Sequence, residues 1–558
     1  MPGHSETIER GYVETGGLLA HYRVCGSGPA VVLLHDSPRS SRLHIPLMKM
    51  LASRFRVFAL DTPGYGNSDP LDLPNPTIPD FARALNDTLA ALNLTQAPVY
   101  ATHTSAKIAL ALAARGGQMP LLVLDGLSIP DALASDTFIE SYMRPFAPEP
   151  TGAWLGAEWS RTRDMLRWFP WFATGPQNRI AMEPPSPEWM ESYGIDLFSA
   201  GRNYAGAYTA AMRWSPLDDL LTVKVPTIVG ARTDDVLYPH LDKVPCAANP
   251  ALSIQRLGAD RDVWAEWIAT ALDSKASAPE PMTTTTARRG YVALDHGQLH
   301  WERYPARNGG EARPLLVLSA PATLEAHRWA QALAEYRTVI VPDLPGFGDS
   351  DPLPQASADG IADALAALIS DPVDVLAIGL AAPLGATLAA RHADHVAALA
   401  VWGAPSFDPP ALDALDALCP DIAFDALAGS HLHQFWHMLR DGDVQWPWFD
   451  ASPPAARAVP ALPHADALHR ALTGMLKQRT NYSQPVAAAL AAHDAAVWQA
   501  VNVPVLVAVG NDPAMAGAAA LIDLLPRGAA FIAPADGDQA AATLASALGK
   551  ASREFMPS

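Results

Sequence analysis

The feature that most restricts what this chain can fold into is an internal duplication. Arg10-Gly-Tyr-Val13 returns as Arg289-Gly-Tyr-Val292, and Asp61-Thr-Pro-Gly-Tyr-Gly-Asn-Ser-Asp-Pro70 returns as Asp343-Leu-Pro-Gly-Phe-Gly-Asp-Ser-Asp-Pro352. Gly152-Ala-Trp-Leu-Gly-Ala-Glu-Trp159 aligns without a gap on Gly429-Ser-His-Leu-His-Gln-Phe-Trp436. Pro170-Trp-Phe172, Asn203-Tyr204 and Val225-Pro226 recur as Pro447-Trp-Phe449, Asn481-Tyr482 and Val503-Pro504. Ordered matches at one offset of about 280, half the chain, describe two copies of one domain. The first is expected over 1–273 and the second over 288–558. The small, polar, Pro-bearing stretch at 274–287 serves as the linker.

Within each copy short apolar runs alternate with helical stretches. The runs are Ala30–Leu34, Arg56–Leu60, Pro98–Ala101, Leu121–Asp125 and Pro226–Val229, then Leu315–Leu318, Thr338–Val341, Val373–Ile378, Ala397–Trp402 and Pro504–Val509. They are continuous rather than alternating, as strands covered on both faces are. The expected class is α/β, with two doubly wound, mostly parallel sheets. Each copy inserts roughly 100 residues between its fourth and fifth runs, giving expected caps near 128–218 and 405–497.

Each half resembles the α/β-hydrolase superfamily with a helical cap. The carrying residues are a strand ending in His35-Asp-Ser-Pro38 and the turn Asp61-Thr-Pro-Gly-Tyr-Gly-Asn-Ser68. An elbow-like strand-to-helix turn at Ala101-Thr-His-Thr-Ser105, a cap insertion, and Val225-Pro-Thr followed by Asp234-Asp235 complete the set. The resemblance implies a nucleophile at a G-x-S-x-G elbow and a late His as its base. Both copies depart from that pattern. His103 falls on the nucleophile position of the first copy, with Thr104 and Ser105 one and two residues away. The late His is missing after the last strand run, where the sequence reads Arg256-Leu-Gly-Ala-Asp-Arg-Asp262. The second elbow, read as Gly379-Leu-Ala-Ala-Pro383, holds no nucleophile, and only Asp512 persists as an acid.

His103 is therefore the candidate catalytic residue, as a general base or as a nucleophile forming an acyl-imidazole; an ordinary imidazole pKa near 6.5 suits either task. Asp234 is expected to orient it, the Thr104 amide to face a developing oxyanion, and Ser37 or Asp36 to supply a second donor. Asp36 puts negative charge beside any oxyanion, which opposes ester hydrolysis and favours proton abstraction or lyase chemistry. Ser105 completes the candidate catalytic set. Candidate substrate contacts are His35, Ser37, Arg39, which could clamp a carboxylate, and the cap tryptophans Trp154, Trp159 and Trp168. His431, His433 and His437 form an imidazole cluster in the second cap, but no HExxH pattern or nearby carboxylate accompanies them, so no metal is expected. No P-loop or GxGxxG follows any strand run, so no cofactor is expected either.

Thirty-nine basic residues against 58 acidic ones give −19 at pH 7, which argues against nucleic acid and anionic membranes as partners. Apolar runs such as Ile108 to Ala114 are too short to span a bilayer. The polar start, with no apolar signal region, and three scattered cysteines suit a cytoplasmic protein. Two readings of function stand. One is a cofactor-free hydrolase or lyase acting on a small apolar or aromatic compound beneath the first cap. The other is a catalytically inactive tandem pseudo-hydrolase that binds a small molecule or a protein.

Overall fold

The structure, a computed structural model, describes residues 7–180, 185–273, 275, 288–308, 312–408, 413–457, 462–534 and 537–554. The expected linker at 274–287 lies, apart from Lys275, outside the described residues. Backbone contacts divide the chain into two units, Met1–Ala147 with Ala157–Thr286, and Pro148–Gly156 with Ala287–Ser558.

The first unit is built on β1 (Glu9–Thr15), β2 (Leu18–Cys25), β3 (Ala30–Leu34), β4 (Arg56–Leu60), β5 (Val99–Thr102), β6 (Leu122–Asp125), β7 (Thr227–Arg232) and β8 (Leu252–Leu257). They pair in the order β1-β2-β4-β3-β5-β6-β7-β8, parallel from β4 onward and antiparallel at β1 and β2. The second unit has β9 (Arg289–Leu294), β10 (Gly297–Tyr304), β11 (Leu315–Leu318), β12 (Val339–Pro342), β13 (Val373–Ile378), β14 (Val396–Trp402), β15 (Val505–Val509) and β16 (Gly528–Ile532). Its order, β9-β10-β12-β11-β13-β14-β15-β16, repeats the first strand for strand. Two sheets of one topology are what a duplicated sequence dictates.

The apolar runs become strands because both faces of each sheet are covered. In the second unit Leu315, Val317, Leu376 and Ile378 pack on one face with Leu333, Leu544 and Leu548. The intervening Leu316, Leu318, Val375 and Ala377 pack on the other face with Ile361, Leu365 and Leu384. Successive side chains of a strand alternate faces, so burying both demands an uninterrupted apolar run.

Two turns fix the C-terminal ends of the first strands. In the first unit Asp61 takes hydrogen bonds from Ser41 N–H (2.6 Å) and Asn67 N–H (3.0 Å) and pairs with His21 Nδ1 at 2.7 Å. Gly66 sits at φ +55°, and a Cβ there would fall 2.1 Å from Asp61 Oδ2, so only glycine lets the backbone wrap its own carboxylate. Asp343, His300 and Gly348 repeat the device in the second unit. His35 ties this turn to the neighbouring loop: Thr62 N–H donates to its Nε2 (2.9 Å) and its Nδ1 meets the Asp36 carbonyl at 2.7 Å.

Helical insertions stand in the chain between β6 and β7 and between β14 and β15, where the caps are expected. No helix among the described residues is long and apolar enough to cross a membrane.

Candidate active site at the first elbow

Strand β5 ends at Thr102 in extended conformation, and a helix spanning His103–Ala114 begins at the next residue. His103 takes φ +44° at this junction, a left-handed conformation costly for a side chain with a Cβ and typical of residues held for function. The turn throws the imidazole out of the sheet, leaving its side chain 37% exposed. Gly126, at the end of β6, makes the room: a Cβ there would lie 2.7 Å from the His103 ring and 3.0 Å from Asp235.

His103 Nε2 meets Asp235 Oδ2 at 2.9 Å. This corrects the expectation that Asp234 orients the ring. Asp234 turns away to Arg232 (3.1 Å) and Arg261 (3.3 Å), while Asp235 accepts the Leu237 N–H at 2.8 Å and faces the elbow. Burial works against a charged imidazole here, yet the hydrogen bond and charge of Asp235, with the charges of Asp36 and Asp125, push its pKa up to about 9. Asp235 is held below its ordinary value by the same pair, which outweighs its own burial. Such a shift favours the protonated ring at neutral pH, where an ordinary imidazole is mostly neutral.

Asp125, at the tip of β6, was not singled out by the sequence. Its Oδ2 accepts from the Tyr100 hydroxyl (2.6 Å) and Trp264 Nε1 (2.7 Å), with Arg232 3.8 Å away. Asp36 is half-buried, and its Oδ1 is sealed from solvent without a hydrogen-bond partner. Thr104 is buried in the first turn of the elbow helix, where the amides have no partner within the helix. Ser37 is half-buried beside Tyr65.

Several expected contacts have other work. Ser105 is buried, and its hydroxyl donates to the His35 carbonyl, so it splints two loops and holds no free nucleophile. It also lines a cavity of about 20 Å³ with Leu34, Thr62, Phe81 and Ile108, room for one water. His35 is fully buried with both ring nitrogens on backbone groups, a strut rather than a substrate contact. Arg39 is 2% exposed, pairs with Asp196 (2.7 Å) and Ser192 (3.1 Å), and lies over Trp189 and Tyr193, so it ties this loop to the cap helix Pro187–Ala200. Trp159 is buried in the cap interior, and Trp168 lies beneath the Arg179 guanidinium and pairs with its backbone. Trp154 belongs to the segment grouped with the second unit, where it packs edge-on against Trp436 and His469.

The second unit repeats the elbow without its chemistry. Ile378 ends β13 and Gly379 takes φ +52°. The residue equivalent to His103 is therefore Gly379, two positions before the Ala381 implied by reading 379–383 as the elbow. Gly403 stands at φ +79° beside Gly379, as Gly126 stands at φ +71° beside His103. Among the second-cap histidines, His431 is buried against Phe424, and none of the three belongs to a cluster spaced for a metal among the described residues. Among the described residues the one such group is His300, Asp343 and Asp349, in the structural turn, where Lys477 already holds Asp349 at 2.7 Å.

Comparison with known proteins agrees with this architecture. A family described as "Alpha/beta hydrolase family" matches residues 31–307, and one described as "alpha/beta hydrolase fold" matches residues 320–420. Among curated proteins, a fluoroacetate dehalogenase from Burkholderia sp. is 35% identical over 71 residues, 12% of this chain and 23% of the relative. A pimeloyl-[acyl-carrier protein] methyl ester esterase from Chromobacterium violaceum is 42% identical over 74 residues, 13% and 29% respectively. The matched stretches thus span only about a quarter of these relatives' lengths. Solved structures that resemble the chain include the haloalkane dehalogenase DatA from Agrobacterium tumefaciens C58, at 22% identity over 49% of this chain and 98% of that one, TM-score 0.37. The epoxide hydrolase VrEH1 from Vigna radiata matches at 19% identity with the same coverage and a TM-score of 0.36. The chain belongs to the α/β-hydrolase superfamily, and it carries that fold in each of its two units.

Proposed function

We propose that the first unit is a cofactor-free hydrolase or lyase for a small apolar or aromatic carbonyl compound, with His103 as the reacting side chain. One observation carries this reading: an imidazole in a strained backbone conformation at the elbow, paired directly with the acid that follows β7. Strain of this kind persists only where the surroundings enforce it.

The protonation state suggests the order of events. At neutral pH the imidazolium acts first as a donor. Its proton goes to the substrate carbonyl oxygen or leaving group, and Asp235 steadies the ring throughout. The Thr104 amide adds a second donor to the same oxygen. Asp36, whose charge the ring already feels, takes a proton from an attacking water or from the substrate carbon. The leaving group departs with the proton from His103, the water oxygen stays on the acyl carbon, and the proton gained by Asp36 returns to the ring through solvent, so the site resets without a late His. Above about pH 9 the ring becomes neutral, and the base and nucleophile roles open to it. The inactive-scaffold reading applies better to the second unit, because Gly379 offers no side chain at the elbow.

The test is an ester, lactone and β-diketone panel assayed with wild type, His103→Ala and Asp36→Asn. Turnover by wild type that falls at least about a hundredfold in both variants supports the reading. Equal rates in wild type and His103→Ala on every active substrate overturn it.

A further inference from the structure

The two caps share one backbone device. Trp168 bridges Arg179 in the first cap, and Gln445 bridges Ala456 in the second. The next amide returns a hydrogen bond in each: Ile180 N–H to the Arg167 carbonyl, and Arg457 N–H to the Val444 carbonyl, both at 2.9 Å. Each residue of the second set stands 277 positions after its counterpart, so Ile180 and Arg457 occupy the same place in the same turn. The acids Asp235 and Asp512 are also 277 apart. Both accept the amide two residues on, from Leu237 and Ala514, at 2.8 Å.

In the second unit the cap residue reaches the acid. Arg457 donates through Nε to Asp512 (3.3 Å) and through Nη1 to Glu325 and the Gly442 carbonyl (3.0 Å each), with its side chain 10% exposed. The acid that takes an elbow imidazole in the first unit is there neutralised by a cap guanidinium. In the first unit that position is aliphatic.

We infer that Ile180 is a specificity-determining residue of the first-unit site, the cap side chain that overhangs the His103–Asp235 pair and presents an apolar wall to the substrate. This rests on the placement of the site under Proposed function. An aliphatic residue does two things at this position. It selects an uncharged, apolar group above the elbow, and it leaves Asp235 to the imidazole. An arginine there would take a share of the carboxylate, as Arg457 does.

The experiment is Ile180→Arg in the full-length chain, read by NMR titration of the His103 ring, which is faced by Asp235, Asp36 and Asp125 with Arg232 behind Asp125. The expected result is a fall in the His103 pKa of about one unit or more, because the new cation shares Asp235 and repels the imidazolium. Arg457→Ile should leave the His103 titration unchanged. A His103 pKa in Ile180→Arg within about 0.3 of wild type overturns the inference. Should Ile180→Arg fail to fold by circular dichroism, Ile180→Glu replaces it in the same titration: a new carboxylate above the ring should raise the His103 pKa by about 0.3 unit or more, and a smaller shift overturns the inference. The titration needs no turnover, so a failure of the proposed activity and a failure of the Ile180 placement are read separately.

Discussion

Asp235→Asn removes the charge beside His103 while keeping the shape of the side chain and an oxygen for Nε2 to reach. In the wild-type protein burial drives the ring toward neutrality, and the Asp235 hydrogen bond and charge reverse that, taking the pKa from 6.5 to about 9. With the charge gone, Asp36 and Asp125 remain but burial does too, and the pKa should drop by about 2 units, to the ordinary imidazole range or below. At pH 7 the neutral fraction of the ring then rises from about 1% to roughly half or more. Folding stability changes with it. The raised pKa stabilises the folded state fully below about 6.5, and that contribution is lost as pH rises through about 9. Wild-type Tm should therefore carry a falling component between those values that Asp235→Asn lacks. The assay is a two-dimensional NMR titration of the imidazole signals, with His103 assigned by its disappearance in His103→Ala. A ring in Asp235→Asn that still titrates within about 0.5 unit of wild type refutes the electrostatic account of the site.

Other substitutions separate the parts. Asp234→Asn should shift the His103 pKa by no more than about 0.3 unit, since Asp234 is engaged by Arg232 and Arg261 and is not among the carboxylates that set the ring, and the same titration reads it. Gly126→Ala places a methyl 2.7 Å from the ring at a positive φ; it should displace the imidazole, lower its pKa and abolish whatever turnover the wild type shows. Lys107 is buried and donates to the carbonyls of Ala211 and Trp214 at 2.8 Å, holding the end of a cap helix against the elbow helix. Lys107→Met should cost about 1–3 kcal/mol in urea denaturation by stranding those carbonyls.

The sequence carried the parallel core of both sheets because strands buried on two faces must be continuously apolar. It carried the outer strands poorly. Strand β2 holds His21 and Arg23 in the interior, where His21 pairs with Asp61 and Arg23 donates to the Ser41 hydroxyl, and these polar residues break the apolar signal. Strand β16 lies at a sheet edge and is mostly exposed, so no burial disciplines its composition. His103 was legible from the helix that follows it. Its pKa was not, because the carboxylates that set it come from β6, β7 and the loop after β3. The sequence offered the adjacent Asp234 and Asp235 as the acid after β7, and the choice between them turns on which carboxylate faces the elbow, which residue type cannot show. The second elbow was misplaced because a positive φ leaves no trace in residue type when the residue is glycine.

On the proposed reading a cationic His103, held by Asp235, does the chemistry of the first unit. The most direct measurement is the pH dependence of kcat/KM for any substrate the wild type turns over, from pH 6 to 10. With the imidazolium as donor, kcat/KM should decline as pH rises through about 9. A rate that climbs through that range would make the neutral ring the active form and contradict the donor role. A profile identical in His103→Ala would remove the residue from the reaction altogether.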